Sequence, residues 1–337
     1  MINNVYQLVA PRTVVVKFED MAAADKVLVR PRFMAVCHAD QRYFQGQRDP
    51  AVMRRKLPMA LIHECVGEVL SDPTGSFAPG DQVALIPNIA GKGPEGVYEN
   101  YAQGSGFLSS GHDGFMRELV DLDPDRVVAC GNVPIHIAAI TEFVSVTTHA
   151  FSRFDCIAHA KRDRIAIIGD GSLAYTMACT LSVLLPEAKL IIVGRNSEKL
   201  SLFSFAHERY YSDDLPSNLT FDHAFECAGG EGSAAAIDCV IDHIMPQGSL
   251  LLMGVSEHAI PVYTRNVLEK GMTMVGCSRS GRVDFERAVA VMENPDIQQR
   301  LSHIIHVDDP VRNVKDIKRV FSTDLQTPFK TVFEWGV

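Results

Sequence analysis

No stretch of 18 consecutive apolar residues occurs in this chain, so nothing in it reads as a membrane-spanning helix. The opening residues, Met1-Ile2-Asn3-Asn4-Val5-Tyr6, lack the basic region and apolar core of an export signal. Eight cysteines lie at positions 37, 65, 130, 156, 179, 227, 239 and 277, with no C-x-x-C pair among them. That scatter is not a disulfide framework, and with no signal to read it leads us to expect a protein of the reducing cytoplasm. Positive charge is also in deficit. Against 41 acidic residues stand 32 lysines and arginines, a net charge of −9 that argues against general nucleic-acid binding. Internal repeats and low-complexity segments are absent, and a hydrophobic content of 47% excludes a disordered chain.

The length, 337 residues, predicts two domains, each with its own core. One segment runs against the overall charge. Residues 30 to 56 carry Arg30, Arg32, Arg42, Arg48, Arg54, Arg55 and Lys56 against Asp40 and Asp49. Such a run reads as a solvated face, or as a local field that steers an anionic substrate.

The most informative stretch is Arg164 to Ala174, where four apolar residues lead into Gly169-Asp170-Gly171-Ser172-Leu173-Ala174 and then a run of helix formers. A buried strand, a tight turn and a helix opening are what a dinucleotide site requires. Gly169 lets the chain leave the strand sharply, and Gly171 clears space for a pyrophosphate. Ser172 and Leu173 open the helix, whose N-terminus favours phosphate, and Ala174 lets it lie close on the strand. Further apolar strands at 189 to 193, 224 to 227 and 248 to 254, with helical stretches between them, predict an α/β fold with a doubly wound parallel sheet. The second strand ends in Val193-Gly194-Arg195 rather than in the acidic residue of an NAD site. Gly194 leaves room and Arg195 supplies a charged fork for a 2′-phosphate, which favours NADP; the alternative is a loop arginine in solvent.

The N-terminal half reads as short β segments, one of them, Val27 to Val36, broken by Pro31. Cys37, Asp40, His63 and Glu64 follow, and any one of them alone fits a core or surface position as well as a ligand role. Glu142 lies in the apolar run 137 to 146, where an unpaired carboxylate costs several kcal/mol. It therefore needs a hydrogen bond, a salt bridge or a metal. Cys37, His63 and Glu142 together would give zinc three ligands and leave an open position. Glu64 is then a transient fourth ligand or a proton carrier, and Asp40 a hydrogen-bond acceptor for the His63 ring.

In their order, Cys37-x-x-Asp40, His63-Glu64, Gly80-Asp81-x-Val83, Glu142 and Gly169-x-Gly171-x-x-Ala174 resemble the zinc-dependent medium-chain dehydrogenases over essentially the whole chain. The resemblance implies a GroES-like β-rich catalytic domain (residues 1–145 and 279–337) and a Rossmann NADP-binding domain (146–278). It also implies Cys37, His63 and Glu142 as catalytic zinc ligands, with Glu64 able to approach the metal. Two departures stand out. Residues 87 to 112 contain no cysteine, so no structural zinc is expected, and Ala39 replaces the hydroxyl residue that often relays the substrate proton.

Within that family, Cys37-x-Ala39-Asp40-Gln41-Arg42-Tyr43, Leu57-Pro58-Met59-x-Leu61-Ile62-His63-Glu64, Ser109 to Met116, Thr220 to Cys227 and Ser278-Arg279-Ser280-Gly281 are similar to the bacterial ribulose-5-phosphate reductases, also called ribitol-5-phosphate dehydrogenases. That similarity implies NADPH-dependent reduction of D-ribulose 5-phosphate, with the product passed to a ribitol-5-phosphate cytidylyltransferase for teichoic acid or capsule polymers. A homodimer is implied as well. The substrate phosphate needs a cation, and Arg42 and Arg279 are the candidates. The competing expectations are a zinc enzyme for an unphosphorylated polyol and a non-catalytic NADPH-binding protein.

Overall fold

The computed structural model describes residues 1–21 and 25–337. Two compact units emerge, Met1–Ser145 with Arg279–Val337, and Val146–Ser278.

The first unit is built mainly on antiparallel strands, with one parallel pair between Ile305–Val311 and Lys330–Trp335. Val27–Ala35 runs through its main sheet, paired with Glu64–Ser71 on one side and with Lys330–Trp335 on the other, so the end of the chain returns to its beginning. Gln82–Leu85, Val127–Ala129, Val120–Leu122 and Ile305–Val311 complete this sheet. A smaller sheet joins Ile2–Ala10 to Thr13–Asp20 and Met59–Ala60. Val29, Met34, Val69, Val83, Leu85, Phe115 and Phe333 fill the core between these layers. The expected break at Pro31 is corrected: the strand continues, and a register shift between Pro31 and Phe33 absorbs the missing N–H donor. Gly67 sits opposite that irregularity, where a Cβ would lie 2.6 Å from the Arg30 carbonyl oxygen. No larger residue fits there.

The second unit holds a six-stranded parallel sheet. Its spatial order is Glu208–Tyr211, Lys189–Gly194, Arg164–Ile168, His223–Glu226, Ser249–Leu252, Thr273–Gly276. Sequence order reverses at Arg164–Ile168, which puts a crevice beyond the C-terminal ends of the central strands, the usual place for a dinucleotide. The central strands Arg164–Ile168 and Lys189–Gly194 read as apolar runs because helices cover parallel sheets on both faces. Ile165, Ala166, Ile167, Ile191 and Ile192 are fully buried.

Candidate active site

Cys37 lies two residues beyond the strand Val27–Ala35 and directly before the helix His38–Phe44, while His63 and Glu64 stand at the start of the adjacent strand. Because the two strands are paired, residues 26 positions apart meet. Ligating atoms of Cys37, His63 and Glu64 all lie within 4.8 Å of one another, a group able to hold a metal ion.

Asp40, one turn into the helix and fully buried, explains the orientation of His63. Its Oδ2 lies 3.1 Å from His63 Nδ1, which leaves Nε2 as the ring nitrogen available for a ligand. Its Oδ1 accepts from the Ser109 hydroxyl at 2.5 Å and from the Ile62 N–H at 3.0 Å. Burial alone would raise the Asp40 pKa, but His63 and these hydrogen bonds bring it below the usual carboxylate value. Burial would likewise lower the His63 pKa, and the Asp40 and Cys37 charges carry it well above the ordinary value instead. Ile62 has φ +69°, and a β-branched residue in the left-handed region carries strain; here it delivers an N–H to Asp40 immediately before His63.

Sequence reasoning missed Lys330. Only 4% exposed, it places Nζ 2.5 Å from Glu64 Oε1 and 2.9 Å from the Val36 carbonyl oxygen, and 4.6 Å from the centre of the Phe143 ring. Burial would lower the lysine pKa, but Glu64 and Cys37 reverse that shift. Glu64 is thus already ion-paired inside the cluster.

Glu142 opens the helix Thr141–Ile157, is 5% exposed, and makes no side-chain hydrogen bond or ion pair among the described residues. It falls outside the 4.8 Å group. Burial raises its pKa to about 7, against the opposing pull of His63. A buried carboxylate with no hydrogen bond, near the His63 imidazole, suits a divalent cation, and the thiol, imidazole and carboxylate of Cys37, His63 and Glu64 are donors that fit zinc.

The two candidate phosphate anchors differ in setting. Arg42, in the last turn of His38–Phe44, is half-buried and already has a partner. Arg279 is half-buried and lies 5.1 Å from the centre of the Phe107 ring, which in turn packs edge-on against His63 at 5.2 Å.

In the second unit, a cavity of about 340 Å³ lies at the sheet's reversal point, lined by Gly169, Asp170, Gly171, Gly194 and Arg195 among others. Ser172 and Leu173 are half-buried in the first turn of Ser172–Leu184 and Ala174 is fully buried, but none of the three lines the cavity. Gly169 has φ +138°, and a Cβ there would lie 2.9 Å from the Cys227 backbone. The Asp170 carboxylate accepts from the Arg195 and Asn196 N–H groups at 2.6 and 2.7 Å, pinning the loop that carries Arg195. Lys199, four residues on, adds a second cation to the lining. A reading that stopped at Arg195 missed it, although the R-x-x-x-K spacing was available.

A parallel sheet with this strand order, a glycine turn and a separate β-rich unit carrying a Cys–His–Glu cluster define an oxidoreductase of the medium-chain alcohol dehydrogenase type. The family model for the alcohol dehydrogenase GroES-like domain matches residues 23–132. Over its full length the chain is 54% identical to ribulose-5-phosphate reductase of Streptococcus pneumoniae (strain ATCC BAA-255 / R6), covering 98% of that protein. It is 43% identical to ribulose-5-phosphate reductase of Bacillus spizizenii, with both chains fully covered. Among solved structures, S. aureus TarJ in complex with NADPH superposes with a TM-score of 0.89 at 41% identity over the whole of both chains. Galactitol-1-phosphate dehydrogenase from Escherichia coli shares the fold, at a TM-score of 0.78 and 19% identity over 99% of each chain. The chain belongs to the ribulose-5-phosphate reductase family.

Proposed function

We propose that this chain reduces D-ribulose 5-phosphate to D-ribitol 5-phosphate with NADPH and one catalytic zinc. The product would go to a ribitol-5-phosphate cytidylyltransferase for teichoic acid or capsule synthesis, in the cytoplasm and by a homodimer. The observation that carries this reading is 54% identity over the full length to a named ribulose-5-phosphate reductase, supported by the grouping of Cys37, His63 and Glu64. Among the described residues no helix is long and apolar enough to cross a membrane.

Cys37, His63 and Glu142 are the residues assigned to hold the metal, with Glu64 beside them. When bound, zinc supplies Lewis acidity at the substrate carbonyl and NADPH supplies the hydride. The chain's own contribution is positioning. Asp40, fixed by Ser109 and the Ile62 N–H, keeps His63 in one orientation. Lys330 holds Glu64, and its positive charge offsets part of the negative charge gathered in the cluster. With Ala39 lacking a hydroxyl, Glu64 and His38 are the candidate proton carriers. In the cofactor cavity, Arg195 and Lys199 supply the cationic lining suited to a 2′-phosphate, with Gly169 and Gly171 at the pyrophosphate.

Cys37→Ser and Glu142→Ala should each lower bound zinc and turnover together. Elemental analysis finding one zinc per chain retained in both variants would overturn the ligand assignment.

A further inference from the structure

We infer that Arg279 is the anchor for the substrate phosphate, an assignment that rests on the proposed substrate and goes beyond it. Four observations converge on this residue. Arg279 is half-buried yet makes no hydrogen bond or ion pair among the described residues. A guanidinium withdrawn from water and left without a carboxylate is set up for an anion that arrives with a ligand.

The second observation is its support. The guanidinium lies over the Phe107 ring, a contact that holds a planar cation in place while leaving its N–H donors free. The third is distance. Contacts of 5.2 and 5.1 Å, from His63 to Phe107 and from Phe107 to Arg279, keep the guanidinium carbon within about 10 Å of the imidazole centre. In ribulose 5-phosphate, five single bonds of about 1.5 Å separate C2 from phosphorus, an extended span of roughly 6 Å. A ketose with its carbonyl end at the Cys37–His63–Glu64 cluster can therefore present its phosphate to Arg279.

The fourth is the backbone. Arg279 has φ +61°, a left-handed conformation that a long side chain adopts at a cost, and such outliers gather where a side chain must be aimed. The conformation is held from its C-terminal side. The Ser280 hydroxyl shares a 2.6 Å hydrogen bond with that of Ser145, and Ser145 donates to the Glu142 carbonyl oxygen at 2.5 Å. The corner that aims Arg279 is thus tied to the same helical turn as Glu142. Arg42 is also half-buried, but it already has a partner and its backbone is not in the left-handed region.

The test uses the full-length enzyme loaded with zinc and NADPH, and compares ribulose 5-phosphate with unphosphorylated ribulose. Arg279→Ala should raise KM for the phosphorylated ketose about ten- to a hundredfold, the range for loss of a charge-assisted hydrogen-bonding fork, with KM for ribulose unchanged within about twofold. Arg279→Lys, which keeps the charge without the fork, should fall between, and Arg42→Ala should leave the KM ratio where it was. As a readout independent of turnover, ribitol 5-phosphate should raise the thermal midpoint of the wild type but not of Arg279→Ala. Equal losses on both substrates, or a KM ratio that moves with Arg42 instead, would overturn the anchor. A wild type that does not prefer ribulose 5-phosphate to ribulose would overturn the proposed substrate and the anchor with it.

Discussion

Lys330 shows what a single residue can hide. A lysine in a closing strand, Lys-Thr-Val-Phe-Glu-Trp, reads as solvent-exposed, and its partner Glu64 lies 266 positions away. Only the pairing of Lys330–Trp335 with Val27–Ala35, a long-range event, brings it under the cluster. Glu142 was legible for the opposite reason: a carboxylate in an apolar helix is a local contradiction that demands a purpose. At Lys330 the account predicts a large stability effect. Lys330→Met leaves Glu64 buried without its cation, a change worth about 3–5 kcal/mol of destabilisation. Denaturant titration of Lys330→Met and of the double variant Lys330→Met/Glu64→Gln measures it, and the double variant should recover most of the loss. A single-variant cost below about 1 kcal/mol would show that the pair is not holding a buried charge.

Among the elements, the strand–turn–helix from Arg164 to Leu184 and the later parallel strands were readable because their apolar runs and glycines are local signals. Pro31 was misleading, since a register shift lets a strand carry proline. The cysteine-free segment 87 to 112 could be read for what it lacks, but not for what ties it down. Glu99 does that: its carboxylate accepts from both terminal nitrogens of Arg126, at 2.8 and 3.1 Å, and from the Arg282 N–H at 3.1 Å. In the parallel sheet, His223 joins neighbouring elements as a neutral ring. Its Nδ1 accepts from the Ser249 N–H at 3.0 Å, and Nε2 lies 3.1 Å from the Lys161 carbonyl oxygen. Burial first, and then the nearby His159, lower its pKa to about 4. Between pH 6.5 and about 4 the unfolded chain takes up a proton that the native ring refuses, so stability is lost as pH falls through that window. The loss amounts to about 3 kcal/mol. Denaturation curves of wild type and His223→Asn across this range should converge toward acid pH; parallel pH profiles would contradict the neutral buried ring.

For the whole molecule, the family was legible because its motifs are spread along the entire chain in a fixed order, and a full-length relative at 54% identity agrees with that order. Less legible was the charge logic. The acidic protein carries a basic segment from 30 to 56, and yet the arginine proposed to hold the substrate phosphate, Arg279, lies outside it. The most direct measurement follows consumption of NADPH or NADH by the purified protein with ribulose 5-phosphate, before and after a chelator and again after zinc is restored. The account predicts oxidation with a strong preference for NADPH, loss on chelation and recovery with zinc. Turnover that favours NADH, or that survives complete removal of the metal, would contradict it.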